Sequence, residues 1–297
     1  MRVLLLGSDT PLGKAVVEQQ ELLQRHELIQ LSSPACRWKS ERQAKKAVVR
    51  AKCDIVLDIR IEAAGDGGIQ IQELDIKRCH WVAKACQRSG CAYLYVSSSR
   101  VFSGRLDRPY VEDDAPDSDE LVGQLLAQAE SVVRKACERH FILRFGPVFS
   151  YEGTNLITQM LGPMSEGDSL ILDNNLRGCP VAADDGARVI SAVLDQLGTG
   201  LEVWGIFHYG SSDTATYYEF AEALLASASQ FFEFSSSAVQ LEREQDGMAA
   251  LNRALDCHKI RNTFAVRQIP WRSAISDMVK YYYEQHAGEE ESYVQSH

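Results

Sequence analysis

An apolar run, Val3-Leu4-Leu5-Leu6, stops at Gly7, and helical spacing of apolar residues begins at Pro11. A strand feeding a helix through a glycine turn, repeated along a chain, leaves few architectures open. The repeat is visible here. Strand-like runs are expected at Arg2–Leu6, His26–Leu31, Asp54–Asp58, Cys91–Val96 and Phe141–Phe145. Helical patterns fall between them at Pro11–Gln24, Glu41–Ala51, Ile69–Ser89 and Glu120–Arg139. Strands alternating with helices of this length make βαβ units, and βαβ units make a parallel sheet covered on both faces. Strands buried on both faces read as continuous apolar runs rather than alternating ones, as Val3–Leu6 does. The class implied is α/β, a doubly wound parallel sheet.

After about Gly146 the rhythm changes, and Gly, Pro and Asn become frequent through Gly178-Cys179-Pro180. Helices are expected again at Asp184–Leu197, Thr216–Ala226 and Trp271–Glu284, with a strand at Val203–His208. The organisation predicted is a sheet domain over 1–148, with contributions from about 179–210. A smaller, interleaved domain follows over 149–286, and a disordered acidic tail over 287–297.

Composition narrows the function. The 297 residues are 45% hydrophobic and 24% charged, enough for a sizeable core, and the formal net charge is −10. A field of that sign repels polyanions, so nucleic acid is not an expected partner. No apolar run reaches the roughly 18 residues that span a bilayer, which argues against a membrane partner. The start lacks the h-region and cleavage site of a signal peptide, so the expected location is cytoplasmic. Eight cysteines form no CxxC pair, which favours buried free thiols over a zinc site.

Gly7-Ser8-Asp9-Thr10-Pro11-Leu12-Gly13 sits where a doubly wound fold meets a dinucleotide pyrophosphate, at a helix N-terminus. Thr10 suits an N-cap and Pro11 the first helical position. Gly7 gives the tight turn, and Gly13 lets helix and sheet approach. Thr10 occupies the place of the middle glycine of a GxxGxxG pattern, where its bulk crowds a pyrophosphate. An ordinary strand-to-helix turn is the competing reading.

Over residues 1 to about 280 the chain resembles the dTDP-4-dehydrorhamnose reductase group of the extended short-chain dehydrogenase/reductases. Cys53-Asp54-Ile55-Val56-Leu57-Asp58 is similar to that family's third strand, and Ile142-Leu143-Arg144 to its fifth. Val96-Ser97-Ser98-Ser99-Arg100-Val101-Phe102-Ser103-Gly104 resembles its Ser-Thr-Asp-Tyr-Val-Phe-x-Gly stretch, and Pro109–Asp114 the loop that follows. Asn175–Val181 is similar to Asp-Gln-x-Gly-x-Pro-Thr. Gly205–Gly210 and Tyr218-Glu219-Phe220-Ala221 match a further block. The resemblance implies a Rossmann-like fold with a smaller C-terminal substrate-binding domain.

It also implies a chemistry. In the family a Tyr protonates the sugar carbonyl, a Lys four residues later lowers the Tyr pKa and holds the nicotinamide ribose, and a Ser or Thr orients the carbonyl. Ser98 falls at the last of these positions. The family's Tyr-Gly-x-x-Lys-Leu-x-Gly-Glu helix lies over Val122–Glu130, where Gly123 and Glu130 match. Val122 replaces the Tyr and Leu126 the Lys, and neither donates a proton or carries charge. Tyr93, Tyr95 and Tyr151 are the candidates for a relocated acid.

The cofactor implied is NADP or NAD, held weakly or lost. Its contacts by resemblance are Gly7, Asp9, Thr10, Pro11, Leu12 and Gly13 at the turn, then Ser32 and Ser33 after the second strand. Asp58, Arg60 and Ser97 complete the cofactor set. Arg60, where the family has a small residue, either blocks the cleft or binds a phosphate oxygen. Arg37 is either a 2′-phosphate contact favouring NADP or a solvated loop charge. Phe102, Asn155, Arg177 and Pro180 fall where the family meets its nucleotide sugar, and a salt bridge is the alternative for Arg177. His208 reads as a core histidine, and Tyr281-Tyr282-Tyr283 as helix packing or a protein contact. The functions this supports are a binding or regulatory protein lacking standard reductase activity, or an active reductase or epimerase with a relocated acid, or a structural subunit with an empty cleft. The regulatory subunit of methionine adenosyltransferase shares the fold family and sets a precedent for the first. The partners expected are a nucleotide sugar, and a protein or a second copy of the chain.

Overall fold

Strand β1 (Arg2–Leu6) lies between two parallel neighbours, and Val3 to Leu6 are 0–1% exposed. The computed structural model describes residues 1–61, 71–235, 237–242 and 250–294, with side chains of the last helix as far as residue 285. From β1 the chain runs through α1 (Pro11–Leu23), β2 (Glu27–Leu31), α2 (Glu41–Ala51), β3 (Ile55–Asp58) and α3 (Glu73–Ser89). It continues through β4 (Ala92–Ser98), α4 (Leu121–Ala136) and β5 (His140–Phe145). The expected start of α3 at Ile69 lies outside the described residues.

The second half adds β6 (Val148–Phe149), α5 (Leu156–Ser165), β7 (Leu170–Leu172), β8 (Leu176–Gly178), β9 (Val181–Ala182) and α6 (Ala183–Gly198). Then come β10 (Gly205–Tyr209), β11 (Ala215–Thr216), α7 (Tyr217–Ala228), β12 (Val239–Leu241), β13 (Leu251–Asn252), α8 (His258–Phe264) and α9 (Arg272–Val294).

Six strands form one sheet in the order β10-β5-β4-β3-β1-β2, every pair parallel. This is the doubly wound α/β fold the alternation predicts. Helices α2, α3 and α4 pack in series, and α1 packs on α6. Local chemistry sets the boundaries. Helix α1 starts on the Thr10 cap with Pro11 at its first position. Helix α3 opens with a capping box between Gln72 and Asp75 and ends on Gly90 at φ 70°. One apolar cluster fills the space around the sheet. A second, around Phe149, Phe220 and Trp271, is built by α5, α7 and α9 with three small sheets: β6-β9, β7-β12 and β11-β8-β13.

Helix α9 runs through Val294, into the span 287–297 where the acidic tail is expected. The run of Glu residues there has good helix propensity, which continues the turns that Tyr282 anchors in the second cluster. Residues 295–297 lie outside the described residues. All eight cysteines are free thiols, seven buried and Cys53 half-buried. No described helix is long and apolar enough to cross a membrane.

Candidate functional site

The carboxyl ends of β1 to β5 carry the candidate residues. Gly7 holds φ 91°, and a Cβ there would stand 2.9 Å from the Arg60 nitrogen. A Cβ on Gly13 would stand 2.0 Å from the Gly7 carbonyl oxygen, so strand and helix meet as the glycines require. The Thr10 hydroxyl is not in the way of a pyrophosphate. It accepts from the Gly13 N–H at 3.0 Å and donates to the Gly7 carbonyl at 2.9 Å, and it is buried.

That arrangement spends most of the donors an anion would use. The N–H groups of Gly7 and Ser8 go to the Leu31 carbonyl, that of Thr10 to Gly7, and Pro11 has none. Only the N–H groups of Asp9 and Leu12 have no partner among the described residues. The Leu12 side chain itself is in the core. Asp9 adds a negative charge to the turn, and its carboxylate takes both the N–H (2.6 Å) and the hydroxyl (2.8 Å) of Ser33. Ser33 is therefore engaged from within the chain, while Ser32 offers its carbonyl to the N–H of Cys36. From the second half, Gly153 lies against the Pro11 ring and Glu152 pairs with Lys14.

Arg60 is engaged from within the chain. Its guanidinium turns inward onto fully buried Asp58, at 2.8 and 2.6 Å, and lies 5.5 Å from the Trp38 ring centre. Burial works against its charge, but Asp58 more than offsets this and raises its pKa well above the usual range. Tyr93 donates to the same carboxylate at 2.6 Å. Asp58 is thus a buried counter-ion and offers nothing to a cofactor. Ser97 is likewise committed, donating to Glu130 at 2.6 Å. Glu130 is clasped by Arg144 at 2.9 and 2.6 Å, and both are buried. Arg144 reaches His208 Nε2 at 3.2 Å, whose Nδ1 lies 3.1 Å from the Tyr110 carbonyl. Burial, then the Arg144 charge, lowers the His208 pKa to about 3, so it is a neutral core histidine as its strand position suggests.

The two positions on α4 are apolar, one closed and one half-buried. Leu126 is 1% exposed and Val122 packs against the same cluster. Gly123 allows α4 to press on the turn after β4, since a Cβ there would stand 2.2 Å from the Arg100 carbonyl. Ser98 caps that turn, accepting from the Arg100 N–H at 3.3 Å. Two of the three candidate tyrosines are closed off from the cleft. Tyr93 and Tyr95 are fully buried beneath the helices, and burial, then nearby anions, pushes both well above the usual phenol range. Tyr151 is raised by burial and packs on Tyr281.

On the substrate side, two expectations are corrected. Phe102 is completely buried, stacked on Tyr110 at 4.0 Å beneath the Arg144 guanidinium. Asn155 caps α5, accepting from the Ile157 and Ser150 N–H groups. Arg177 and Pro180 do line a cavity, with Ser99, Arg100, Tyr217 and Arg253, but its volume is only about 30 Å³. Arg177 takes the salt-bridge alternative, holding Glu219 at 2.9 and 2.7 Å and keeping that carboxyl below its usual range. Arg100 and Arg253 both clasp Glu120. Burial opposes the Glu120 charge, yet the two guanidiniums hold its pKa below normal. The sequence reading missed this trio, because residues 100, 120 and 253 meet only in the fold.

Among the larger concavities of the described residues, two bear on function. One of about 450 Å³ lies at the ends of β2 and β3, lined by Ser33, Arg37, Arg60, Gln72, Asp75 and Arg78. Arg78 pairs with Asp75, whereas Arg37 is exposed with no ion partner among the described residues. The other, about 720 Å³, lies over α4 and the β10 edge, away from the glycine turn.

A family model described as the RmlD substrate binding domain matches residues 1–284. The chain belongs to the RmlD substrate-binding domain family. Among curated proteins it is similar to a dTDP-4-dehydrorhamnose reductase of Sinorhizobium fredii, 26% identical over 67% of this chain and 69% of that protein. It is also similar to the methionine adenosyltransferase 2 subunit beta of Danio rerio, 28% identical over 69% of this chain and 64% of that one. Among solved structures, a dTDP-4-dehydrorhamnose reductase of Clostridium acetobutylicum superposes with a TM-score of 0.78 at 17% identity, covering 95% of this chain and 99% of that one. The Bacillus anthracis enzyme, solved in complex with NADP, gives 0.74 at 18% identity over 93% and 96%. These structures establish the shared fold.

Proposed function

We propose that this RmlD-family chain is a binding or regulatory protein that lacks standard reductase activity. The observation that carries the reading is the apolar pair Val122, half-buried, and Leu126, closed, where the family's proton donor and ribose contact stand. General acid catalysis contributes about 10²–10⁴ in rate, and Ser98 alone can only orient a carbonyl. The nicotinamide end does not fit a cofactor, since the Leu126 side chain is closed off and brings neither charge nor proton. The opposite end suits a nucleotide: the cavity of about 450 Å³ has the size of a small-ligand pocket, and Arg37 at its rim has no ion partner among the described residues. The reading is therefore a chain that holds the nucleotide end of NADP or NAD weakly and performs no hydride transfer. A nucleotide sugar would need the Arg177–Glu219 and Arg100–Glu120–Arg253 pairs to open first.

The test is NADPH oxidation by purified protein with dTDP-4-dehydrorhamnose, for which turnover at the assay floor is expected. One observation favours an active enzyme: Tyr217 lines the substrate-side cavity with Ser99 and Arg177. Robust turnover abolished by Tyr217→Phe would establish that second reading.

A further inference from the structure

Helices α2, α3 and α4 pack in series over the sheet, and the series ends on β4 and β5. Strand β10 lies beyond it at the sheet edge. The space left beside α4 is the cavity of about 720 Å³. Its floor is the face that His140 and Arg144 share with Ile206 by register. The strand edge is already fastened: Lys259 donates to the Ile206 carbonyl at 2.6 Å, and Glu112 accepts from the His208 N–H at 3.1 Å.

The cavity carries both signs of charge, and they stay apart. Arg134 and Lys135 stand exposed in the last turn of α4, while Glu112, half-buried, and exposed Asp113 come from the loop after Tyr110. None of these four has an ion partner among the described residues. Their neighbours do pair: Asp114 holds Arg108, and Arg139 holds Glu202. The two sets sit at opposite ends. Burial, with Arg134 adding its charge, lowers the His140 pKa, which puts Arg134 beside the start of β5. Glu112 bonds to His208, which lies across from Arg144 four residues further along that strand. Four residues of strand span about 13 Å. A cavity of about 720 Å³ and that length has a cross-section of about 55 Å². An extended chain in stacked sheets occupies about 4.8 by 10 Å.

We propose that this cavity binds a short extended peptide with free ends, its carboxylate on Arg134 and Lys135 and its ammonium on Glu112 and Asp113. A carboxylate matches the fork of a guanidinium, and an ammonium brings three donors to the two acidic side chains. An extended residue spans about 3.3–3.6 Å, so four residues cover the distance between the two ends. Ile206, Ala115 and Pro116 supply apolar contact along the way. The acidic end disfavours a polyanion and the basic end a polyamine, so a ligand carrying one sign of charge meets repulsion at one end. The cavity lies away from the glycine turn, and the proposal stands whether or not a nucleotide binds there.

Calorimetry of the full chain with tetraalanine is expected to show one site with a dissociation constant below about 1 mM. Tetraalanine acetylated and amidated at its ends lacks both charges and should bind about tenfold more weakly or worse. Dialanine, too short to reach both ends, should lose a similar factor. Glutarate and cadaverine, which carry one sign each, should not displace tetraalanine. Arg134→Ala with Lys135→Ala should weaken tetraalanine at least tenfold. So should Glu112→Gln with Asp113→Asn, which keeps the acceptor for the His208 N–H and removes the charge. Hydrogen exchange of the unmodified chain covers the case of a variant that fails to fold: the amides of 112–116 should slow on adding tetraalanine, and those of the glycine turn should not. No binding at millimolar tetraalanine, equal affinity for the blocked peptide, or unchanged affinity in the Arg134 and Lys135 variant would overturn the proposal. In the last case the two cations serve only the C-terminal end of the α4 dipole.

Discussion

Replacing Leu126 by Lys asks whether the cleft beside α4 is closed in solution. The side chain at this position is 1% exposed, so a lysine here loses its hydration. A lysine titrates near 10.4 in an open chain, and full burial lowers it by about 3–5 units. The unfolded chain then binds a proton that the folded chain sheds, so stability rises with pH, by about 1.4 kcal/mol per unit between the two pKa values. Raising the pH from about 7.4 to 9.4 should recover about 2.7 kcal/mol of the loss. For a chain of this size that is a rise of about 4 °C in melting temperature relative to the unmodified protein. The assay is a pair of thermal melts of Leu126→Lys and the parent at the two pH values. If the melting difference is the same at both, the lysine is solvated, an open ribose site exists beside α4, and the argument for lost chemistry fails. The same desolvation bears on restoring activity: Val122→Tyr with Leu126→Lys is expected to stay inert while the cleft is filled.

Other outcomes follow from the buried polar residues. Arg144→Met leaves Glu130 buried and unpaired and should cost about 3–5 kcal/mol, with part recovered when Glu130→Gln is added; equal loss in single and double variants would show that the pair is not coupled. His208, held to about 3 by burial and by Arg144, binds no proton in the folded state where the unfolded chain does. Stability should therefore fall as the pH drops from about 6.5 toward 3, and His208→Gln should remove one proton's worth of that slope in acid denaturation. Calorimetry with NADPH should give a dissociation constant no tighter than micromolar, because the turn keeps two free N–H donors and carries Asp9; sub-micromolar binding would contradict this account of the turn.

The main architecture was legible because its signals are local. Helix α2 is read to the residue, Glu41–Ala51, and the cap of α1 follows from Thr10 and Pro11 alone. The two- and three-residue strands β6, β7, β8, β9, β11, β12 and β13 were not legible, since nothing in so short a run distinguishes a strand from a loop until its partner is known. The same division holds in the site. Thr10 and Gly13 act on neighbours within a few residues. Arg60, Ser97 and Phe102 owe their roles to Trp38, Glu130 and Tyr110 as the sheet brings them together, and matching a motif does not show whether a side chain faces the cleft or the core.

The contact of Gly153 and Glu152 with the start of α1 joins the two halves of the molecule at the very place where a bound dinucleotide would otherwise bridge them. Such a latch belongs to the polypeptide and is present whatever the surrounding concentrations of oxidised and reduced nicotinamide. A ligand stabilises a fold only in proportion to how strongly it prefers the folded form. The partly exposed Lys14–Glu152 pair is worth about 0–1 kcal/mol, so it sets where the two halves meet and leaves the stabilisation by any ligand to that ligand's own affinity and concentration.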